Sequence, residues 1–369
     1  MDTLQETLTL ILTNACNLHC IYCYESNKST KHLSAQKCYE ILISYLQKEG
    51  PHLIIELFGG EPFLAFDLIK NITSFLRNGD WKRTFEIFID TNGTCITPEI
   101  EKWMRQNLDL VTCAVSLDGT PNMHNINRSN SFNKIPIDLF LELYPNQSSK
   151  MTLSPETLST MAEGVIYLHK RGVKMTANLA YGVSWNKNHI IVLANQLRTL
   201  ADFYLDNPSY NSFCSIIDID LKFMTANPKD QSTQRKYCGA GTHMYTYDVD
   251  SQCYPCQFFA PITVGSEKAI TSKQLNILLE YDSSCMDKKC ISCPARNLCP
   301  TCMGSNYAAT GNFYHKDDAM CELYKVQLKG AAYLYYNLWK LNRLTLSPEE
   351  ESSLLLGIEL AQSLKLELE

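Results

Sequence analysis

The sequence predicts an α/β fold: a partial (β/α)6 TIM-like barrel, then a small cysteine-rich domain and C-terminal helices. Short β-rich runs alternate with longer helical patterns through the first half of the 369 residues. Six successive strand–helix units require a parallel sheet with right-handed crossovers, and exceed what a small flavodoxin-like sheet needs. With 45% hydrophobic residues the chain can fill a real core, and nine of its sixteen cysteines fall between Cys238 and Cys321.

Each predicted strand is a short β-rich run ahead of a plausible helix. Strands are predicted at residues 7–13, 53–58, 85–90, 112–117, 150–154 and 174–180. Helices are predicted at residues 34–48, 63–76, 98–107, 135–143, 155–171 and 187–205. Ser154 before Pro155, with Glu156 in the first turn, is typical of a helix start because proline fits the first turn and an acid favours the positive end.

The domain boundaries follow from changes in composition along the chain. We expect the barrel at residues 1–206, a connector at 207–236, a cysteine-rich domain at 237–325 and C-terminal helices at 326–369. The cysteine-rich part has many glycines and prolines and little periodicity, so we expect metal to hold it together. Helical periodicity returns at residues 322–341 and 348–366, with Ser347 as the N-cap of the second segment.

Charge and hydropathy exclude several classes of protein. The net charge of −6 is spread over interspersed acids and bases, so there is no basic stripe for nucleic acid and no polybasic membrane anchor. The sequence has neither a long apolar run nor a secretory signal, and we expect a cytoplasmic location. In a reducing compartment, clustered cysteines are better interpreted as metal ligands than as disulfides.

Four unusual loops follow the first four predicted strands directly. They are NACNLHCIYC (residues 14–23), GGEP (59–62), TNGT (91–94) and DGTP (118–121). In a parallel β/α barrel the loops at the carboxyl ends of the strands share one face, which is where such folds keep their active sites. We therefore expect the four loops to converge on one mouth.

The first of these loops carries three cysteines, Cys16, Cys20 and Cys23. Buried structural cysteines have no reason to crowd into one loop. A zinc site is an alternative, but structural zinc requires four closed ligands, and no fourth cysteine or suitably spaced histidine is nearby, since His19 would point away from the adjacent cysteine. Three thiolates suit a 4Fe-4S cluster in which one iron stays open.

The CxxxCxxC spacing after the first strand resembles the radical S-adenosylmethionine (SAM) enzyme superfamily, and the resemblance extends over about residues 8–180. It implies that the open iron binds the amino and carboxylate groups of SAM. It further implies that an electron from the cluster breaks the S–C5′ bond and releases a 5′-deoxyadenosyl radical, which abstracts hydrogen from the substrate. An external electron donor of the flavodoxin or ferredoxin type is implied as well.

The same resemblance implies SAM-contacting residues. The GGEP motif would approach the methionine amino group because a glycine backbone has no Cβ in the way; the TNGT and strand-four positions would contact ribose or the methionine carboxylate, and an aromatic residue the adenine. These residues are Tyr22, Gly59, Gly60, Glu61, Pro62, Asn92 and Ser116. Asp118, His124 and Arg128 match a familiar stretch after strand four, either as ligand contacts or as residues that order the loop.

A second cysteine block is also patterned. It includes C-x2-C-x5-C-x2-C at Cys290, Cys293, Cys299 and Cys302, with further cysteines on both sides. Eight or nine thiolates in about eighty residues suffice for two four-cysteine sites, and both zinc and iron–sulfur clusters fit that count. Cysteines in the periodic segments are instead expected in the core: Cys38, Cys95, Cys113 and Cys214.

The second block resembles the SPASM extension of radical SAM enzymes, which implies two auxiliary 4Fe-4S clusters and three clusters in all. Two departures are Ser251 where the family has glycine, which suggests a slightly different turn, and a spacing of two residues between Cys299 and Cys302 where it has three. The family's interleaving implies an outer cluster on Cys290, Cys293, Cys299 and Cys321 and an inner cluster on Cys238, Cys256 and Cys302. For the fourth inner ligand we favour Cys253, with Cys285 and an open iron as alternatives.

SPASM-bearing relatives mostly modify peptides and proteins, so the resemblance implies a maturase that crosslinks or epimerises a ribosomally made peptide. Only about six residues precede the first predicted strand, so we expect the precursor to be recognised by the barrel mouth, the connector or a separate leader-peptide-binding protein. The alternatives are an anaerobic sulfatase-maturing, formylglycine-forming enzyme, a radical enzyme with a non-peptide substrate, and a non-catalytic iron–sulfur or zinc-binding protein. The last would explain the cysteines but not the other three loops.

The segment YPCQFF at residues 254–259 separates the two closest functions. Sulfatase-maturing enzymes usually carry an aspartate base directly after this cysteine, where the present sequence has Gln257. An amide cannot ionise, but it can orient a peptide by hydrogen bonding. We therefore expect Gln257 to orient substrate near the auxiliary cluster; the alternative is that it only packs and another acid is the base.

Overall fold

The structure, a computed structural model, describes residues 5–225, 238–281 and 287–366. Strands and helices alternate through the first part of the chain as β1 (Glu6–Thr13), α1 (Ala35–Leu46), β2 (Leu53–Gly59), α2 (Phe66–Asn78), β3 (Phe85–Thr91), α3 (Pro98–Gln106), β4 (Val111–Val115), α4 (Pro121–Asn127), α5 (Ile137–Leu143), β5 (Ser149–Leu153), α6 (Met161–Lys170), β6 (Met175–Leu179) and α7 (Lys187–Asp206). The remaining elements are β7 (Met244–Tyr247), β8 (Cys253–Tyr254), α8 (Pro261–Val264), α9 (Ser272–Tyr281), α10 (Lys288–Ile291), α11 (Met303–Thr310), α12 (Asp318–Lys340) and α13 (Pro348–Ser363).

The first sheet has the strand order β4-β3-β2-β1-β7-β8. Strands β1 to β4 are parallel, with Leu8 opposite Ile55 and Ile55 opposite Ile87. Strand β1 is central and is buried from Leu8 to its last residue, which fits an apolar run in a parallel sheet. The carboxyl ends of these four strands therefore lie along one edge, as a partial (β/α)6 barrel requires.

Strands β5 and β6 form a second, two-stranded sheet. Contacts divide the chain into two compact units, Met1–Leu117 with Arg128–Ser149 and Cys238–Asp282, and Asp118–Asn127 with Lys150–Tyr237 and Ser283–Glu369. In the second unit α12 packs against both α7 and α13, and Leu221, Leu328 and Ile358 lie in its core. Both units are discontinuous in sequence, and the boundaries expected at residues 206, 236 and 325 stay predictions.

All six predicted strands are confirmed to within two residues at either end. Helices α7 and α13 begin at residues 187 and 348 as predicted; Asn186 caps the first and the predicted Ser347 caps the second, each with a capping box. The predicted helix at 322–341 begins earlier, because the Asp317 carboxylate caps α12 by accepting from Met320 N at 3.0 Å.

The predicted helix start at Ser154 and Pro155 is wrong. Residues 155–157 form a turn, Leu158–Thr160 a 3-10 turn, and α6 begins only at Met161. The reason is that the Ser154 hydroxyl is engaged elsewhere, donating to Asn127 Oδ1 at 2.8 Å within a buried polar group. A good capping sequence was thus overridden by tertiary contacts.

The sequence missed the short elements. Helix α4 was not predicted, and the cysteine-rich part contains β7, β8, α9 and α11, of which β7 pairs in parallel with β1. Strands of four and two residues are too short to show a period of two. Pro62–Ala65 is a 3-10 turn, so α2 starts at Phe66 rather than at residue 63.

Across the described ranges, no helix combines the length and the apolar character needed to cross a bilayer.

Candidate active site

The three-cysteine loop follows β1 directly. The side chains of Cys16, Cys20 and Cys23 are partly exposed, and Cys23 N donates to Cys20 O at 3.1 Å, which closes a tight turn. Burial lowers the pKa of Lys28, but the three thiols around it, together with Glu25, outweigh burial and raise that pKa. The loop therefore gathers its three thiols around one cation.

At this loop, burial and a neighbouring positive charge shift the pKa values of the thiols in opposite directions. Burial raises the pKa of the Cys16 and Cys23 thiols, and the nearby Lys28 ammonium opposes the rise. The Lys28 ammonium is held by donating to Leu18 O at 3.0 Å. Because thiolates are the metal-binding form of cysteine, a fixed cation favours this loop as a ligand set.

The two glycines of GGEP pack against the backbone of the cysteine loop. A Cβ on Gly60 would lie 2.4 Å from Ala15 O and 2.9 Å from Cys16 Cβ, and one on Gly59 would lie 2.5 Å from Thr13 O. These distances are shorter than any real Cβ contact. The glycines therefore have a structural reason to lack side chains, in addition to the SAM contact that the sequence predicts.

We expect Gly60→Ala to displace the cysteine loop, because the new methyl group would meet backbone atoms that cannot rotate away. After anaerobic reconstitution, iron per chain should fall by roughly one third, the share of one cluster in three. The control is Gly172→Ala, where a Cβ meets nothing within 4 Å although φ is +78°. Full iron content in Gly60→Ala would contradict this prediction.

Glu61 joins the GGEP loop to the TNGT loop. Its side chain is buried; Oε1 accepts from Thr91 Oγ1 at 2.8 Å and from Phe63 N at 3.1 Å, while Oε2 accepts from Asn92 N at 2.8 Å. Burial raises the pKa of Glu61 to about 7, and these donors oppose the rise. The carboxylate thus accepts hydrogen bonds from both loops. Pro62, which is also buried, begins the 3-10 turn beside it.

Asn92 connects the TNGT loop to the cysteine loop. Its Nδ2 donates to Asn17 Oδ1 at 2.9 Å, and Asn17 Nδ2 donates to Thr94 Oγ1 at 2.8 Å. Asn92 Oδ1 also accepts from Thr94 N at 2.9 Å. On the other side of TNGT, Ser116 N donates to Thr91 O at 3.0 Å. The first three loops are therefore one hydrogen-bonded group.

Tyr22, the predicted adenine contact, is nearly buried, and the Arg128 guanidinium lies 5.5 Å from its ring centroid. The next residue, Ser129, accepts from His19 N through Oγ at 2.9 Å. Ser129 and Asn130 both adopt a φ of +54°, which is uncommon for residues other than glycine. Arg128 thus belongs to a strained turn that supports the cysteine loop.

Asp118 and His124 lie in the second unit, where both are fully buried. Asp118 Oδ1 accepts from Thr152 N at 2.9 Å, Oδ2 accepts from Asn127 Nδ2 at 3.2 Å, and Asp118 N donates to His124 Nδ1 at 3.2 Å. Of the two roles that the sequence left open, these contacts favour ordering of the loop. The fourth loop belongs to this unit, so its convergence with the other three stays a prediction.

Gln257 is partly buried and hydrogen-bonds through its side chain to the Tyr24 hydroxyl, next to Cys23. The backbone carbonyl of Gln257 accepts from Thr263 Oγ1 at 2.8 Å. Tyr24 also stacks on Phe258, with ring centroids 4.4 Å apart. The amide that the sequence singled out is therefore fixed against the cysteine loop.

The four cysteines assigned to the outer cluster line one cavity in the second unit. This cavity has a volume of about 350 Å³ and is lined by Cys290, Cys293, Cys299 and Cys321 together with four lysines. Burial, then the neighbouring Cys299 and Cys321, raise the pKa of the Cys290 thiol to about 11. Four thiols that repel each other's negative charge form a ligand set that a metal centre would stabilise.

Cys302 lies apart from these four. It lines a different cavity of about 430 Å³ in the same unit, and its Sγ accepts from Ser305 N at 3.3 Å at the start of α11. This arrangement agrees with the interleaving that the family resemblance implies, in which Cys302 serves another site.

The other cysteines assigned to the inner cluster lie in the first unit. Cys256 is buried, Cys238 is exposed, and Cys253 Sγ lies 3.5 Å from Ser272 Oγ. Ser251 has a φ of +64°, in the left-handed region that favours glycine, and the slightly different turn expected from the serine stays a prediction. Cys285, the rival ligand, lies outside the described residues.

Three of the four cysteines expected in the core are buried there, Cys38, Cys113 and Cys214. The prediction is wrong for Cys95, which is only partly buried. Burial raises its pKa to about 11, and Glu61 and Cys16 contribute to the rise, so Cys95 lies beside the three-loop group.

The donor atoms fit iron–sulfur clusters chemically, because both groups consist of soft thiols. Within residues 5–225, 238–281 and 287–366, no three Cys, His, Asp or Glu side chains converge on a single metal-ion position. Beside the cysteine loop, Glu25 is buried, and its Oε1 has no hydrogen-bond partner among the residues that the structure describes. An unpaired buried carboxylate oxygen is costly unless a ligand satisfies it.

Sequence reasoning missed the side chains that support these thiols. Asn17, Lys28 and Glu25 are polar residues in or after a loop, which is the normal place for polar residues, so nothing in the sequence marked them. Their proximity to Cys23 along the chain was the one available signal for Lys28 and Glu25.

Two curated relatives show the range of similar proteins. The radical SAM cyclopropyl synthase TigE of Paramaledivibacter caminithermalis is 21% identical over 361 residues, covering 88% of this chain and 73% of TigE. The serine-type anaerobic sulfatase-maturating enzyme of Bacteroides thetaiotaomicron is 30% identical over 128 residues, covering 32% of this chain. The chain spans only 27% to 38% of the length of three curated relatives.

Solved structures share the fold over most of the chain. Native anSMEcpe with bound AdoMet and Cp18Cys peptide has a TM-score of 0.68 at 19% identity, covering 92% of this chain and 100% of that one. Streptococcus suis SuiB bound to the precursor peptide SuiA has a TM-score of 0.56 at 16% identity, covering 86% and 76%.

The sequence pattern of the radical SAM superfamily matches residues 10–197, which is more than half of the chain. This range contains the three-cysteine loop and the GGEP and TNGT loops that the structure joins by hydrogen bonds. The chain is therefore an enzyme that belongs to the radical SAM superfamily.

Proposed function

We propose that this enzyme is a radical SAM peptide maturase of the SPASM type, which crosslinks or epimerises a ribosomally made peptide. The observation that supports this most is the second thiol group: Cys290, Cys293, Cys299 and Cys321 share one cavity, in addition to the three-cysteine loop. A radical SAM enzyme without auxiliary clusters has no need of a second set of four thiols lining one cavity.

In this proposal Cys16, Cys20 and Cys23 hold the first 4Fe-4S cluster, and its open iron leaves a place for SAM. When bound by these residues, the cluster and SAM would supply the radical chemistry for hydrogen abstraction. Asn17 and Glu61 hold Asn92 in position through its side chain and its backbone amide. The unpaired Glu25 oxygen is available to a positively charged group of SAM.

SAM itself would contact residues of the first unit, and the hydrogen bonds among the loops fix their positions. We assign this role to Tyr22, Gly59, Gly60, Pro62, Asn92 and Ser116. Glu61 has both carboxylate oxygens occupied by Thr91, Phe63 and Asn92, so we propose that it positions Asn92 rather than touching SAM.

The two auxiliary 4Fe-4S clusters complete a set of three. We place the outer one on the four cysteines of the 350 Å³ cavity and the inner one on Cys238, Cys256, Cys302 and Cys253. An external flavodoxin or ferredoxin would supply electrons, and a separate leader-binding protein is a further proposed partner.

A peptide substrate is supported by the relatives, since SuiB is named as binding a precursor peptide and anSMEcpe as binding Cp18Cys peptide. Within the second unit, the cavity of about 430 Å³ offers room for peptide side chains. Its lining mixes apolar Met320 and Phe223 with Asp218 and Asn178, and it includes Cys302 of the proposed inner cluster. More than half of the lining residues are polar or charged, so the cavity offers many partners for the hydrogen-bonding groups of a peptide.

The proposal is tested with the reconstituted, reduced enzyme, SAM and peptides encoded by short reading frames beside its gene. We expect one peptide to lose the mass of two hydrogens on crosslinking, or to take up deuterium from heavy water on epimerisation. The control omits SAM. If 5′-deoxyadenosine forms while every peptide stays unchanged and a small non-peptide substrate is consumed instead, the enzyme is not a peptide maturase.

A further inference from the structure

Lys316 is a buried lysine whose ammonium group contacts a cysteine sulfur. Its side chain lies in the cavity of the four cysteines, the residue is only 6% exposed, and Nζ donates to Cys299 Sγ at 2.9 Å. Burying an ammonium group is costly unless a negative partner compensates for the lost water. A cysteine thiolate supplies such a partner, and hydrogen bonds of this charge-assisted kind are the strong ones.

The surroundings hold this ammonium in place. Lys289 Nζ donates to Lys316 O at 3.0 Å, and the next residue, Asp317, caps α12. The ammonium lies 5.1 Å from the ring centroid of Tyr324, whose hydroxyl donates to Leu298 O at 2.5 Å. Leu298 directly precedes Cys299, so the hydrogen bond from Tyr324 restrains the backbone beside the sulfur. The ring of the same tyrosine lies beside the Lys316 ammonium.

Two of the other three lysines of this cavity are paired with carboxylates, and the third, Lys365, is exposed. Lys289 contacts Asp318, and Lys325 Nζ lies 2.5 Å from Glu322 Oε1. Their charges are largely compensated by these partners, whereas Lys316 directs its charge to Cys299. Lys316 is also the residue shared by the lining of the four-cysteine cavity and that of the cavity containing Cys302.

We infer that Lys316 raises the reduction potential of the outer auxiliary cluster by its hydrogen bond to Cys299 and its buried positive charge. This inference rests on the proposed function, which places a cluster on the four thiols. Reduction adds one negative charge to the cluster and its thiolates, so a fixed neighbouring cation stabilises the reduced form more than the oxidised form. Net charge and hydrogen bonds to the sulfurs are established determinants of cluster potential.

The test is a redox titration followed by electron paramagnetic resonance. The full-length chain carries Cys16→Ala, Cys20→Ala and Cys23→Ala, so that only the auxiliary clusters titrate. Lys316→Met, which keeps the length and loses the charge, should shift one of the two transitions to a more negative potential. We expect about a tenfold change in the ratio of reduced to oxidised cluster at fixed potential, which is ~59 mV for one electron.

Two variants make the result specific to the contact. Lys316→Arg keeps a positive donor and should restore most of the potential. Lys365→Met removes an exposed lysine that lines the same cavity, and it should shift the potential much less because water and salt screen an exposed charge. Iron per chain should be unchanged in all three.

The outcomes separate this inference from the proposed function. If Lys316→Met keeps its iron and both transitions stay in place, or if it loses iron, the tuning role is wrong. If Cys290→Ala in the same background leaves both the iron content and the transitions unchanged, the four cysteines hold no cluster, and the proposed function fails together with the inference.

Discussion

Replacing Cys16, Cys20 and Cys23 together with alanine is expected to abolish SAM cleavage and to lower iron from roughly 12 to roughly 8 atoms per chain, because one of three clusters of four irons is lost. The three thiols share Lys28 and belong to the loop that Asn17 ties to Asn92. The remaining thiols, including the four in the 350 Å³ cavity, are left intact. The measurements are iron per chain and 5′-deoxyadenosine formed under reducing conditions.

The matched control replaces three cysteines that the structure buries in its core, Cys38, Cys113 and Cys214. This control should lose some stability, since core substitutions leave cavities, but it should keep its iron. Formation of 5′-deoxyadenosine by the first triple variant would show that the loop is not the catalytic cluster site. Stoichiometric zinc and no brown colour in the unchanged protein would contradict both the cluster assignments and the proposed function.

Much of the fold could be predicted because the barrel strands are long enough to show their pattern. Strand β1 is a run of eight residues that is buried at its centre, and β2 and β3 alternate between buried and partly buried positions. The start of α6 could not be predicted, since the contact of Ser154 with Asn127 joins residues 27 positions apart. Parallel pairing of β7 with β1 was equally invisible, because it joins four residues to a strand more than two hundred residues away.

In the candidate site, too, some residues could be predicted from the sequence and others could not. Spacing alone identified Cys16, Cys20 and Cys23, and the family resemblance sorted Cys299 from Cys302 before the structure placed them on different cavities. The residues that support the thiols were not predicted from the sequence. A lysine in a polar loop, such as Lys316, has no local sequence pattern that indicates burial against a sulfur. Such contacts are set by tertiary packing and not by sequence spacing.

Gln257 is expected to keep this enzyme from converting a sulfatase-type cysteine or serine peptide to formylglycine, even while it cleaves SAM. Formation of formylglycine requires a base for the proton released as the substrate radical is oxidised, and an amide cannot accept that proton at neutral pH. The structure holds Gln257 in place: its side-chain amide hydrogen-bonds to the Tyr24 hydroxyl, and its backbone carbonyl accepts from Thr263 Oγ1 at 2.8 Å. A group fixed in this way can orient a peptide by hydrogen bonding.

The measurement is the mass of a sulfatase-type cysteine peptide, such as the Cp18Cys peptide bound by anSMEcpe, after incubation with the reduced enzyme and SAM. A sulfatase-maturing enzyme run in parallel on the same peptide serves as the positive control, and 5′-deoxyadenosine shows that each enzyme is active. We expect the mass change of formylglycine to be absent from the reaction of the present enzyme. If that mass change appears, another acid is the base, and Glu25 and Glu56, which both act electrostatically on Tyr24, are the carboxylates to replace first. Such a result would also favour the sulfatase-maturing function over the crosslinking or epimerising maturase, because the position of Gln257 would then no longer separate the two.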